Sequence, residues 1–277
     1  MRPLALLCLL LLIITPVDAQ EDFQTIFGGY DGTFVIYDVH ADVMTIYNLD
    51  RALQRFSPYS TYKVPHATIA LASGLAPGDT YRIIYDEQAH PYTLGMEQFW
   101  SRDLWTQDHT LRSSLQFSIV WYYRELAGQI GQDTMQNYLN QFDYGNRDIS
   151  TWLGDETVPA FWLGGSLKIS AIEQVEWWRA LYQRDLGIAD DVTDTVLDMA
   201  LLYEADSYRL YGKTGTRADD LALAWFVGLI EQDDDAYIFA LNVEASPTVR
   251  SNLLRAILVS QGYMSDDSPL FLTNTER

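Results

Sequence analysis

Strand signals sit at both ends of this chain, and a long helical stretch separates them. Two short runs rich in β-branched and aromatic residues, Thr33–Tyr37 and Val43–Tyr47, flank the polar Asp38–Asp42 and read as a hairpin. Comparable runs return only late, at Tyr208–Tyr211, Leu221–Ile230 and Tyr237–Val243, the last two joined by the acidic turn Gln232–Asp235. Between the two groups, Leu115, Ile119, Tyr122 and Leu126 follow a helical period, and Ile172, Val175 and Trp178 continue it downstream. The segment Thr248 to Val259 predicts a last amphipathic helix that stops at Gly262. The simplest packing is an α+β fold: one antiparallel sheet built from N- and C-terminal strands, flanked by helices, with an inserted helical subdomain. No repeat, proline-rich linker or low-complexity tract divides the chain, so one structural unit with two lobes is expected.

The first residues read differently. Arg2, the apolar run Leu4 to Ile14 and Pro16-Val17-Asp18-Ala19 have the order of a secretory signal, cleaved after Ala19. Residues 1–19 are then expected to be a signal peptide and 20–277 the folded domain. The run is short for a membrane span, although a retained anchor is the other reading. Cys8, the single cysteine, lies inside that signal, so the mature chain has neither a disulfide nor a thiol nucleophile. The remaining length suits one large domain or two small ones.

Eighteen basic against 38 acidic residues give a net charge of −20, which loss of Arg2 and Asp18 leaves unchanged. Such a surface repels nucleic acid and anionic membranes, so neither partner is expected, nor stable membrane association after signal cleavage. It suits an exported protein and a salt-adapted source equally. His40, His66, His90 and His109 show no metal-ligand spacing and no HExxH occurs, so no metal is expected. Oligomeric state is not legible.

Ser60-Thr61-Tyr62-Lys63 lies between Pro58 and Pro65, ahead of the apolar Ala67–Leu75, where a helix begins. Residues i and i+3 share a helix face, so the lysine can act on the serine's proton and activate a weak hydroxyl nucleophile. Alone the pattern arises about once by chance in a chain of this length, and it also fits a Ser-capped helix with a solvated lysine. Lys213-Thr214-Gly215 closes the strand expected over Tyr208–Gly212. Period two puts Lys213 and Gly215 on one face and Thr214 on the other. The lysine offers positive charge, and the glycine lets another backbone approach. A polar strand end running into a turn reads the same way. The two motifs together, however, are those of serine β-lactamases and penicillin-binding proteins.

From here the chain resembles the serine penicillin-recognising superfamily, and within it the class D, oxacillinase-type β-lactamases. Gly32-Thr33-Phe34-Val35, Tyr47-Asn48, Arg51-Ala52 and Arg55-Phe56 resemble the family's opening segment. Ser60-Thr61-Tyr62-Lys63-Val64-Pro65 resembles its nucleophile motif, Ser118-Ile119-Val120 its Ser-x-Val and Tyr144-Gly145-Asn146 its Tyr-Gly-Asn. Phe161-Trp162-Leu163 leading into Leu167-Lys168-Ile169-Ser170 is close to its omega-loop signature, and Lys213-Thr214-Gly215 with Ala224-Trp225-Phe226-Val227-Gly228 completes the series. Class A fits less well: Ser118-Ile119-Val120 stands where that pattern has Ser-Asp-Asn, and no glutamate is clearly placed for deacylation.

The resemblance implies hydrolysis of β-lactams through an acyl-enzyme on Ser60, with Lys63 as general base in its N6-carboxylated form, using carbon dioxide or bicarbonate. Val120, Trp162 and Leu163 would surround the carboxylated lysine, Trp162 donating its indole N–H; each is equally an ordinary core residue. Ser118 would relay a proton to the leaving nitrogen. Backbone N–H groups of Ser60 and Thr216 would form the oxyanion hole, with the helix dipole behind Ser60. Lys213, Thr214, Gly215, Thr216 and Arg250 would bind substrate, the cations holding its carboxylate. Departures from the family are His66 in place of asparagine, expected to affect helix packing rather than chemistry, Tyr59 before the serine, and Thr216 after the glycine. Tyr92–Thr110, with Trp100 and Trp105, either covers the cleft or packs as a surface hairpin or helix. A β-lactam sensor domain and a peptidoglycan D,D-peptidase share the motifs and are the alternatives. The expected location is periplasmic or extracellular.

Overall fold

The run Ala-Trp-Phe-Val-Gly-Leu-Ile at 224–230 has no polar side chain, which suits a strand covered on both faces. The computed structural model, which describes residues 17–154, 159–219, 221–266 and 269–270, places it in the middle of a six-stranded antiparallel sheet. The strands are β1 (Gly32–Asp38), β2 (Val43–Tyr47), β5 (Leu201–Glu204), β6 (Tyr208–Thr216), β7 (Ala224–Gln232) and β8 (Asp235–Val243), and they run in the order β2-β1-β8-β7-β6-β5. A two-stranded ribbon of β3 (Arg82–Ile83) and β4 (His109–Thr110) lies apart from it. N- and C-terminal strands meet where Val35 of β1 faces Ala240 of β8.

The helices are α1 (Val17–Phe27), α2 (Leu49–Leu53), α3 (Lys63–Ala72), α4 (Arg102–Trp105), α5 (Leu111–Gln116), α6 (Val120–Ile130), α7 (Gln132–Gln141), α8 (Ala171–Tyr182), α9 (Asp190–Ala200) and α10 (Pro247–Ser260). Side chains alternate across the sheet and feed two cores. Phe34, Ile36, Phe226, Phe239 and Leu241 join Phe23 and Phe27 of α1 and Leu254 and Ile257 of α10. Val35, Tyr37, Trp225, Val227 and Ile238 face the other way, into a larger core with α3, α6 and α8. The helices between β2 and β5 are the insert that the two-ended strand pattern implies, and α2 and α8 of that insert pack back on the sheet.

Three element boundaries move, and the signal reading stays an expectation. Residues 1–16 of the expected signal lie outside the described residues, and the boundary after Ala19 falls within the first turn of α1. β6 runs on to Thr216, so Lys213-Thr214-Gly215 lies within the strand rather than closing it. β7 begins at Ala224, because Leu221 takes a left-handed φ of 55° that no strand residue adopts. The period Leu115–Leu126 is not one helix: α5 ends at Gln116, Ser118 has φ 58°, and α6 starts at Val120. Among the described residues no helix is long and apolar enough to cross a membrane.

Candidate active site

Ser60 sits in a 3-10 turn, Tyr59–Tyr62, that runs straight into α3. The nucleophile motif therefore straddles the entry to a helix instead of lying wholly within one. Its geometry nonetheless delivers the expected pairing: Lys63 Nζ lies 2.7 Å from Ser60 Oγ. Lys63 is fully buried, and desolvation, reinforced by the charge of Lys213, drives its pKa well below the usual lysine range. A neutral amine beside a hydroxyl can take its proton.

Several contacts hold the turn still. Thr61 Oγ1 donates to the Pro58 carbonyl at 2.7 Å and accepts from Gln174 Nε2 of α8 at 2.9 Å. Ser57 donates to the Trp162 carbonyl at 3.1 Å and accepts from the Gly164 N–H at 2.9 Å, while its own carbonyl accepts from Trp225 Nε1 at 3.0 Å. Gly215 is required by the approach of β6: a Cβ there would stand 2.8 Å from the Pro58 carbonyl oxygen. This close approach is what the glycine of Lys-Thr-Gly implies, and it sets the end of β6 against the nucleophile turn.

Ser118, Thr214, Pro247 and Arg250 line two adjoining clefts, of about 840 and 710 Å³. The larger also takes in Ser60, Val120, Leu163, Gly215 and Thr216, and the smaller takes in Lys213. The break between α5 and α6 is what presents Ser118 to both. Met96, Phe99, Trp100 and Trp105 form one wall of the larger cleft, so the segment Tyr92–Thr110 flanks the site. Trp100 Nε1 donates to the Phe117 carbonyl at 2.9 Å and fixes that wall to the turn carrying Ser118.

Across the cleft the charge is positive. Lys213 and Arg250 are both buried, and among the described residues neither pairs with a carboxylate. Lys213 Nζ donates to the Thr214 carbonyl at 3.2 Å, and Arg250 Nη1 donates to Thr216 Oγ1 at 3.3 Å. Desolvation, then the charge of Arg250, brings the Lys213 pKa down to about 7; desolvation brings that of Arg250 to about 10. Two buried cations without a counter-ion favour an anionic ligand. Among the described residues no group of three or more His, Cys, Asp or Glu is arranged to hold a metal ion.

Behind Lys63 the walls are aromatic. Trp162 is fully buried, and its Nε1 finds no hydrogen-bond partner among the described residues. Its ring stands 5.6 Å from His66 and 6.3 Å from Tyr62. An unsatisfied buried donor costs about 1–3 kcal/mol. The Tyr-Gly-Asn segment braces the loop that carries Trp162. Asn146 Nδ2 donates to the Ser166 carbonyl, its Oδ1 accepts from the Lys168 N–H, and its own N–H donates to the Lys168 carbonyl, each at 2.9 Å.

A family profile, that of the penicillin-binding protein transpeptidase domain, matches residues 32–259. The chain is 37% identical over 252 residues to the probable β-lactamase YbxI of Bacillus subtilis (strain 168), covering 91% of this chain and 87% of the relative. The solved structure of class D β-lactamase BAT-2 superposes with a TM-score of 0.79 at 38% identity, over 88% of this chain and 97% of that one. The chain belongs to the class D β-lactamases. The regulatory protein BlaR1 of Bacillus licheniformis is also similar, 34% identical over 245 residues, but the chain spans only 38% of it.

In this class D β-lactamase Ser60, Ser118, Val120, Leu163, Thr214, Gly215, Thr216 and Arg250 line one cleft, Lys213 lines the adjoining one, and Lys63 lies behind Ser60, whereas motif residues such as Phe34 and Phe226 face the opposite core. Sequence reasoning missed Ser57, Gln174 and Tyr123, whose ring centroid lies 5.6 Å from Lys63 Nζ. No spacing links them to the motifs, because their roles arise from tertiary packing alone.

Proposed function

We propose that this class D enzyme hydrolyses the cyclic amide of β-lactams with Ser60 as nucleophile and Lys63 as its base. The observation that carries this reading is the 2.7 Å approach of a buried Lys63 Nζ to Ser60 Oγ. The Lys63 side chain takes the Ser60 proton as Oγ bonds to the lactam carbon. Backbone N–H groups of Ser60 and Thr216 receive the oxyanion, where preorganised donors act on charge that develops only in the transition state. As the carbon–nitrogen bond breaks, Ser118 gives a proton to the departing nitrogen and regains the one that Lys63 took from Ser60, which leaves Lys63 free to act again. Water then adds to the acyl carbon, gives up a proton to the Lys63 side chain and releases Ser60. Lys213, Thr214, Gly215 and Arg250 hold the substrate through its carboxylate, for which arginine is suited.

Carbon dioxide added to the neutral Lys63 amine, giving an N6-carboxylysine, would supply an anionic oxygen base for both proton transfers. Three features support it: the buried amine, its depressed pKa, and the partnerless Trp162 Nε1. Val120 and Leu163 line the cleft side of this pocket and limit water there. The folded catalytic domain extends from residue 20 after signal cleavage, and the enzyme acts in the periplasm or outside the cell.

The test is turnover of a chromogenic cephalosporin with and without bicarbonate, beside a Ser60→Ala control. Many turnovers that rise with bicarbonate and vanish in the control are expected. One stoichiometric burst leaving a stable Ser60 adduct would instead mark a sensor or a D,D-peptidase.

A further inference from the structure

His66 lies one helical turn after Lys63 on the same face of α3 and is fully buried. A neutral imidazole carries one N–H donor and one lone pair. Neither His66 Nδ1 nor Nε2 has a partner among the described residues. Around the ring stand Tyr123 at 5.1 Å, Tyr62 at 5.4 Å and Trp162 at 5.6 Å between centroids. Lys63 Nζ sits 5.6 Å from the ring centroid of that same Tyr123. The rings of Tyr62, Tyr123 and Trp162 thus surround the buried imidazole, and Tyr123 is shared with the Lys63 amine.

The titratable groups around the imidazole are few. From its own helix comes Lys63, from the 3-10 turn before it Tyr62, and from α6 Tyr123. The side chains that α5 and α9 bury (Leu111, Ser114 and Leu115; Thr193, Val196, Met199 and Ala200) do not titrate. No carboxylate is among them. Burial and the nearby Lys63 charge together lower the His66 pKa to about 3, so the ring is neutral while nothing negative is near.

Carboxylation changes that balance. A neutral amine and carbon dioxide form a carbon–nitrogen bond, and the nitrogen must then lose a proton to leave a carbamate anion. Lys63 Nζ touches Ser60 Oγ, which lines the cleft, so the proton either leaves by Ser60 or stays on a neighbouring base, and only the second offsets the charge of the buried anion. We propose that His66 accepts the proton released when Lys63 is carboxylated, so that the modified site is a carbamate–imidazolium pair. The inference rests on the carboxylation reading above. Amine, imidazole and carbon dioxide are neutral before the step, and the pair is neutral after it. His66 is a positioning residue in this scheme and never touches the β-lactam.

The test is ¹³C NMR of the full chain equilibrated with ¹³C-labelled bicarbonate over a pH series at fixed dissolved carbon dioxide. Histidine ¹⁵N spectra are recorded alongside, with the His66 signal assigned by its loss in His66→Asn. The ring nitrogens of His66 are expected to turn to the imidazolium pattern in step with the carbamate signal. His66→Asn and His66→Phe release the proton to solvent, so their carbon dioxide affinity falls more steeply on acidification, by about tenfold more per pH unit than in the wild type. A carbamate signal with a neutral His66, or equal pH slopes in all three proteins, overturns the proposal and leaves carboxylation standing. No carbamate signal in the wild type overturns carboxylation itself, and this proposal with it. Should the variants fail to fold, the pH dependence of the wild-type histidine spectrum decides, since a purely structural His66 stays neutral throughout.

Discussion

Trp225 Nε1 donates to the Ser57 carbonyl at 3.0 Å, and this bond ties the middle of the sheet to the turn that presents Ser60. Both partners are buried, so the carbonyl has no water to turn to. Trp225→Phe leaves it unsatisfied. The expected loss is about 1–3 kcal/mol of unfolding free energy, read from urea denaturation. A fall in kcat at unchanged KM is expected with it, because the turn and not the cleft is loosened.

Lys213 makes stability depend on pH in a defined direction. Its pKa is about 7 in the folded protein and near the ordinary lysine value of 10.5 when unfolded. Between those values the unfolded chain binds more protons, so stability rises with pH across that window. Lys213→Met removes this dependence. The variant is expected to be more stable than the wild type at pH 7, by on the order of a few kcal/mol. That advantage shrinks toward pH 10, and substrate affinity is lost at every pH. Denaturant titrations of both proteins across the range check it.

Arg250 reports on the ligand's charge. It is buried and bonds Thr216 Oγ1, and its guanidinium carbon lies 5.8 Å from the centroid of the Phe226 ring. Arg250→Ala is expected to raise KM about 10- to 100-fold for a carboxylate-bearing β-lactam. The same substitution should change KM little for the methyl ester of that compound. Steady-state kinetics on the matched pair of substrates check the contrast.

Gly145 holds a left-handed φ of 56°, and a Cβ there would stand 2.3 Å from the Lys168 carbonyl oxygen. Gly145→Ala must push the Lys168 segment away, and with it the loop bearing Trp162. A loss of about 1–3 kcal/mol is expected. For a domain of this size that corresponds to a fall in Tm of about 2–4 °C per kcal/mol, measurable by calorimetry.

Five of the six strands were legible as runs rich in β-branched and aromatic residues, whereas β5, four residues directly after α9, was not. The site was legible as residue types: Ser60, Lys63, Ser118, Lys213 and Arg250 all converge on the clefts or directly behind them. The break at Ser118 was not. Leu115, Ile119, Tyr122 and Leu126 keep helical spacing across it, so apolar periodicity carries no trace of the left-handed residue between them. The same holds at Leu221, where an apolar residue reads as strand but turns the chain. Ser57 and Gln174 were invisible for a different reason, since their meaning lies in partners about a hundred residues away.

The sheet order β2-β1-β8-β7-β6-β5 also has a bearing on folding. The nucleophile turn precedes the helical insert, whereas the strand that closes on it follows that insert, and β1 waits for β8 before its second edge is paired. Contacts this distant in sequence form late, after the entropy of closing large loops has been met. A ribosome-bound or truncated chain that lacks β6 cannot assemble the pocket around Ser60. Catalytic competence is therefore a property of the finished polypeptide, reached only when its last strands have docked.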